Sequence, residues 1–117
     1  MNIKTVSKFA LTAVILAALL GLSHAATAED HILEQKDKAF IYKGQKVEKL
    51  TIKVGDVVHF KNTDSYFHNV FSLSDAKLFD LGSFPQGQEK TVTFNKAGTV
   101  EVECAIHPQM HLIVEVK

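Results

Sequence analysis

An all-β domain, a Greek-key sandwich or barrel of about seven to eight strands, is the fold class this sequence predicts, and three observations predict it. Beyond residue 29 the apolar side chains recur at every second position, the period of a strand with one face buried. No stretch there sustains a 3.6-residue apolar period over the length of a helix. Polar turn residues punctuate the alternating runs at short intervals, as they do in an antiparallel sandwich. At 117 residues the chain has room for one ordinary domain, and 46% hydrophobic with 22% charged residues is the composition of a folded chain. All thirteen strong cations are lysines and thirteen acids oppose them, so the arginine-rich basic excess of a nucleic-acid binder is missing.

The first element is a leader. Lys4 and Lys8 precede the apolar run from Phe9 to Leu22, and small residues follow through Ala25-Ala26-Thr27-Ala28. This is the order of a secretory signal peptide, over residues 1–28, with cleavage after Ala28 or Ala25 and the former preferred. The run is shorter than the roughly 20 apolar residues of a spanning helix. The only cysteine is Cys104, so none stands at the processing site of a lipoprotein. The mature domain, residues 29–117, loses Lys4 and Lys8 and is left with eleven lysines against thirteen acids, a net charge of −2. It is expected to be periplasmic, soluble and unanchored. Exported domains this small commonly rely on disulfides. One cysteine cannot supply an internal one, which makes a bound metal the alternative staple to look for.

The strands follow in order. Residues 31–42 hold one or two with a poor pattern. Leu50, Ile52 and Val54 alternate with Thr51 and Lys53, and Gly55-Asp56 turns the chain. Val58 and Phe60 then alternate with Val57, His59 and Lys61, which leaves His59 on the solvated face. A polar loop from Asn62 to Ser65 leads to a short strand from His68 to Ser72. The connection from Leu73 to Gln88 contains Phe79, Leu81 and Phe84 and is expected to fold over one edge. Val92 and Phe94 mark the next strand, and Asn95-Lys96-Ala97-Gly98 turns it. Val100, Val102 and Cys104 share one face; Leu112, Val114 and Val116 share the inward face of the last strand.

Chemistry concentrates between those last two strands. Cys104-Ala105-Ile106-His107-Pro108-Gln109-Met110 offers a thiolate, an imidazole and a thioether within seven residues. Taken singly, each is more often ordinary packing: a buried Cys behaves as a small hydrophobe, and a Met as core. Together they are soft donors suited to copper, whereas zinc does not favour a thioether. A trigonal site needs a further histidine, and His68, after a loop and at the start of a strand, is the natural one. Strand parity puts Met110 in phase with inward Leu112 and His111 in phase with outward Ile113, which favours Met110 over His111 as the weak axial donor. His31 has no evident partner in the sequence.

The segments Lys53-Val54-Gly55-Asp56-Val57-Val58, His68-Asn69-Val70 and Cys104-x-x-His107-Pro108-x-Met110 resemble those of the cupredoxins, the small blue copper proteins, and the short C-x-x-H-x-x-M spacing is similar to the amicyanin branch. The resemblance covers residues 45 to 117 or so. Ile106 departs from it, since amicyanins typically carry proline before the second histidine. It implies one type 1 copper per chain, with His68, Cys104 and His107 as strong ligands, Met110 as the long axial one, and Asn69 tying the two ligand loops together. It further implies a monomeric carrier of single electrons, docking transiently with a donor and an acceptor protein near His107. Phe67, Phe71 and Phe84 are expected to keep water from the metal. A copper-delivery protein using the same ligands is the alternative. An enzyme would need further copper or a substrate cavity, for which 89 residues leave little room, and no hydrolytic constellation is present.

Overall fold

Ten short strands carry the alternation of buried and exposed side chains through a computed structural model of the protein, which describes residues 27–117. The leader expected over residues 1–28 falls, through residue 26, outside the described residues. The strands are β1 (Asp30–Lys36), β2 (Ala39–Tyr42), β3 (Gln45–Lys46), β4 (Lys49–Ile52), β5 (Val57–Asn62), β6 (His68–Ser74), β7 (Lys77–Phe84), β8 (Glu89–Thr93), β9 (Gly98–Glu103) and β10 (His111–Val116). They form two five-stranded sheets, ordered β3-β2-β1-β5-β8 and β4-β10-β9-β6-β7. The inward residues of both sheets, Leu33, Phe40, Val58 and Phe60 from one and Val70, Val100, Val102, Leu112 and Val114 from the other, make a single core. Among the described residues no helix is long and apolar enough to cross a membrane.

Strand number and strand direction both differ from the sequence expectation. The count exceeds seven to eight because residues 30–46 fold into three short strands, where the poor pattern suggested one or two, and because the connection after Leu73 holds a further strand, β7. Two pairings are parallel: β1 runs alongside β5, from Asp30 opposite Val57 to Gln35 opposite Asn62, and β4 runs alongside β10. The segment from Leu73 to Gln88 is no covering loop. Most of it is β7, hydrogen-bonded to β6 as a hairpin at the sheet edge. Its partly buried side chains Lys77, Phe79 and Leu81 keep period two until a bulge shifts the phase to buried Phe84. Val54, expected inward, is 48% exposed because β4 ends at Ile52 and the chain has already entered the turn.

Gly98 is required where it stands. Its φ of +146° lies where a side chain is strained, and a Cβ there would sit 2.8 Å from the Ala76 Cβ. The close approach lets the β8–β9 turn pass beside the β6–β7 hairpin, so that β9 carries Cys104 toward the opposite pole. At that pole four segments end together: β5 at Asn62, β6 at His68, β9 at Glu103 and β10 at His111.

Candidate metal centre

Four segment ends bring the expected donors together. His68 opens β6 and is fully buried, Cys104 follows β9 and is 1% exposed, and His107 lies in the loop between. The Cys104 Sγ is 3.8 Å from His68 Nδ1 and 3.9 Å from His107 Nδ1, and the two nitrogens are 3.1 Å apart. A triangle with these sides has a centre about 2.1 Å from each corner, inside the ~2.0–2.3 Å range of metal bonds to imidazole and thiolate. Three donor atoms aimed at one point bring their lone pairs into mutual repulsion unless a cation lies among them. The donor set therefore fits copper: two imidazoles and a thiolate in trigonal disposition.

Met110, immediately before β10, is 1% exposed and in phase with Leu112, and its N–H donates to the His107 carbonyl at 2.9 Å. His111 is exposed and stands opposite Glu103 on the outward face. The parity argument thus described the two side chains correctly.

Several polar groups fix the donors. The buried His68 donates its Nε2–H to Asp64 Oδ2 at 2.7 Å, which leaves the Nδ1 lone pair free and pointed at the thiolate. Asp64 also accepts the backbone N–H groups of Asp37 and Lys38, at 2.8 and 3.3 Å. Burial alone would raise the Asp64 carboxyl; the hydrogen bonds from His68, Asp37 and Lys38 outweigh it and hold the group below the usual carboxylate range. Asn62 Nδ2 donates to the carbonyls of Tyr66 and Phe84, while its Oδ1 accepts the Asp64 N–H, so one buried amide braces the whole loop. Asn69 Oδ1 accepts the Ala105 N–H at 2.7 Å and joins the His68 strand to the Cys104 loop, as the resemblance implied. Tyr66 packs edge-on against both imidazoles, with centroids 5.3 Å from His68 and 5.2 Å from His107. For His107, burial and the neighbouring His68 depress the imidazole pKa, which keeps the ring neutral.

Asn62 and Asp64 were hidden in the sequence by a stretch that reads as a solvated polar loop. Asn62 is in fact fully buried and Asp64 nearly so. The signal that could have found Asp64 is its place four residues before His68. Of the three phenylalanines expected to exclude water, Phe84 is buried opposite His68 and Phe71 is half-buried, but Phe67 is 54% exposed because it lies in the loop before β6. His59 is not simply solvated: its Nε2 lies 2.9 Å from Asp30 and its Nδ1 3.2 Å from Glu89, and these carboxylates, the Asp30 hydrogen bond foremost, raise its pKa. His31 has partners after all. It is buried between Tyr42 and Asp56.

A family model described as copper binding proteins, plastocyanin/azurin family, matches residues 29–117. The fold is similar to that of the reduced Cu(I) form of an amicyanin variant, with 26% identity over 81% of this chain and 87% of that one and a TM-score of 0.64. An oxidised amicyanin variant matches with 24% identity, the same coverage and a TM-score of 0.65. A copper-containing nitrite reductase from Thermus scotoductus SA-01 matches with 23% identity and a TM-score of 0.66, over 81% of this chain but only 24% of that one. No curated protein matches the sequence.

Proposed function

The chain belongs to the plastocyanin/azurin family of copper-binding proteins, and on that premise we propose that it is a periplasmic blue copper electron carrier, cleaved after Ala28 and using His68, Cys104, His107 and Met110 as ligands. The observation that carries this reading is the triangle of His68 Nδ1, His107 Nδ1 and Cys104 Sγ, with its centre at bonding distance from all three. Bound copper supplies one-electron chemistry by alternating between Cu(II) and Cu(I).

The chain supplies rigidity and access. Cu(II) favours tetragonal ligation and Cu(I) fewer or tetrahedral donors, so a donor set that cannot follow either preference keeps reorganisation small. His68 is immobilised through Asp64 and Asn62, and Cys104 through the Ala105 N–H on Asn69. Buried Phe84 and Met110 keep water from the inner side. His107 is the exit for the electron. It is only partly buried, and exposed Ile106, Phe67 and Tyr66 on the same two loops give a modest apolar surface for a transient redox partner.

The test is spectroscopic. Cu(II) added to the purified mature protein should give an intense thiolate-to-copper absorption band and a narrow copper hyperfine splitting. Ascorbate should bleach the band and an oxidant restore it, and Cys104→Ser should abolish it. A colourless complex that holds only Cu(I) and surrenders it readily would assign the chain to copper delivery instead.

A further inference from the structure

At the pole opposite the Cys104 loop, roughly 20 Å away along β5, a second group of donors converges. Ligand atoms of Glu29, His31 and Asp56 lie within 4.8 Å of one another. His31 Nε2 is 2.9 Å from Asp56 Oδ2, and the Glu29 backbone nitrogen is 2.9 Å from Asp56 Oδ1. His31 and Asp56 are both buried, and the Glu29 carboxylate stands over them at the surface. Beside His31 a surface depression of about 340 Å³ opens, which Asp30, Tyr42 and Lys43 also help to line.

The position of Glu29 gives this cluster its chemistry. Hydrolysis of the Ala28–Glu29 peptide bond by signal peptidase consumes one water and leaves the Ala28 carboxylate on the leader and a free α-amine on Glu29. That amine is created at a nitrogen already seated 2.9 Å from Asp56. We propose that cleavage after Ala28 completes a second Cu(II) site at this pole, with the Glu29 α-amine, His31 Nε2 and the carboxylates of Asp56 and Glu29 as its donors. The inference rests on the cleavage position stated under the proposed function.

An ion here would replace two hydrogen bonds. The Glu29 nitrogen lies 2.9 Å from Asp56 Oδ1 and His31 Nε2 lies 2.9 Å from Asp56 Oδ2, so both oxygens of one carboxylate face the two nitrogens. Nitrogen and carboxylate donors in that arrangement favour Cu(II) over the other common divalent ions. Protons balance simply. The α-ammonium releases one proton, and the His31 proton moves from Nε2 to Nδ1, where the Tyr42 oxygen, 3.0 Å away, accepts it. The ion would clamp the start of β1 to the turn before β5, at the end of the sandwich that the type 1 site does not reach.

The experiment uses protein exported with its own leader, its first residue read by intact mass, and its type 1 site already filled. Titration with Cu(II) should add one further ion per chain, with a tetragonal signal of mixed nitrogen and oxygen ligation in electron paramagnetic resonance and no change in the thiolate band. His31→Gln should weaken this second binding by roughly tenfold or more while the thiolate band survives. A chain extended by one alanine before Glu29, which moves the amine without touching the fold, should do the same. Four outcomes overturn the proposal: a mature chain that does not begin at Glu29, no second ion, a second ion indifferent to both variants, or a signal of deprotonated amide nitrogens, which would mean that the strand end had peeled off to bind copper unfolded.

Discussion

Replacing Asp64 by asparagine tests whether the polar loop sets the copper site or merely decorates it. The Asp64 carboxylate receives three donors, from the backbone of Asp37 and Lys38 and from His68 Nε2–H. Asparagine keeps one carbonyl oxygen and brings two N–H donors of its own, so it cannot serve all three. Either one buried donor is left unpaired, at about 1–3 kcal/mol, or His68 moves its proton to Nδ1 and accepts from the new amide. The second arrangement blocks the nitrogen that faces Cys104. Copper must then reverse the tautomer on binding, and loss of such a partner typically costs 10–100-fold in affinity, about 1.4–2.8 kcal/mol. Competition against a Cu(I) chelator at neutral pH, with urea unfolding of the metal-free protein alongside, separates the two costs. Asp64→Asn with copper affinity within about threefold of the parent, whatever its stability, would refute the tautomer argument.

Three further outcomes are expected. The Asp56 carboxyl, which burial would raise, is held at about 2 by the Lys53 and Glu29 N–H groups and the His31 ring. Its folded pKa lies below the ordinary 3.8, so it contributes about 2 kcal/mol that is present above pH 4 and lost as pH falls through about 2. Urea unfolding of metal-free protein should show Asp56→Asn costing clearly more at pH 6 than at pH 2. Gly98→Ala should destabilise by about 1–3 kcal/mol, through its φ and its 2.8 Å approach to Ala76, and Ala76→Gly in the same chain should return only the part due to contact. Met110→Leu, which roughly conserves volume in the core, should change stability by less than about 1.5 kcal/mol yet shift the reduction potential, whereas His111→Ala should leave the potential unchanged in voltammetry.

The alternation of Leu112, Val114 and Val116, and of Val100, Val102 and Cys104, was legible because one face of each strand is buried and nothing else competes for it. The three close donors were legible too, since Cys104 and His107 share one loop and His68 opens a strand. What the sequence concealed is polar burial. Asn62 and Asp64 carry the composition of a solvent loop, and only the packing of that loop under Tyr66 and beside Phe84 turns it into the brace of the site. His31 was obscure for a related reason. Its partners Tyr42 and Asp56 are 11 and 25 residues away; the antiparallel β1–β2 pairing brings up the first and the parallel β1–β5 pairing the second, and no local pattern announces the latter. Strand β7 was missed because its alternation breaks at the bulge near Gly82, and half-buried edges show a weaker pattern than central strands.

That edge strand has a bearing on how the protein behaves in a crowded compartment. Leu73 and Leu78 face each other across the β6–β7 hairpin and are 75% and 71% exposed, an apolar pair beside a row of backbone groups that has, among the described residues, no neighbouring strand on one side. A straight edge of this kind would template the addition of another chain. Here the register slips between Asn69 and Phe71, Gly82 turns the backbone to a φ of +69°, and Lys77 and Asp80 place opposite charges along the strand. An incoming strand could match only a few residues before losing register. The same irregularity that hid β7 from the sequence pattern thus guards a sandwich without an internal disulfide against polymerising through its own edge.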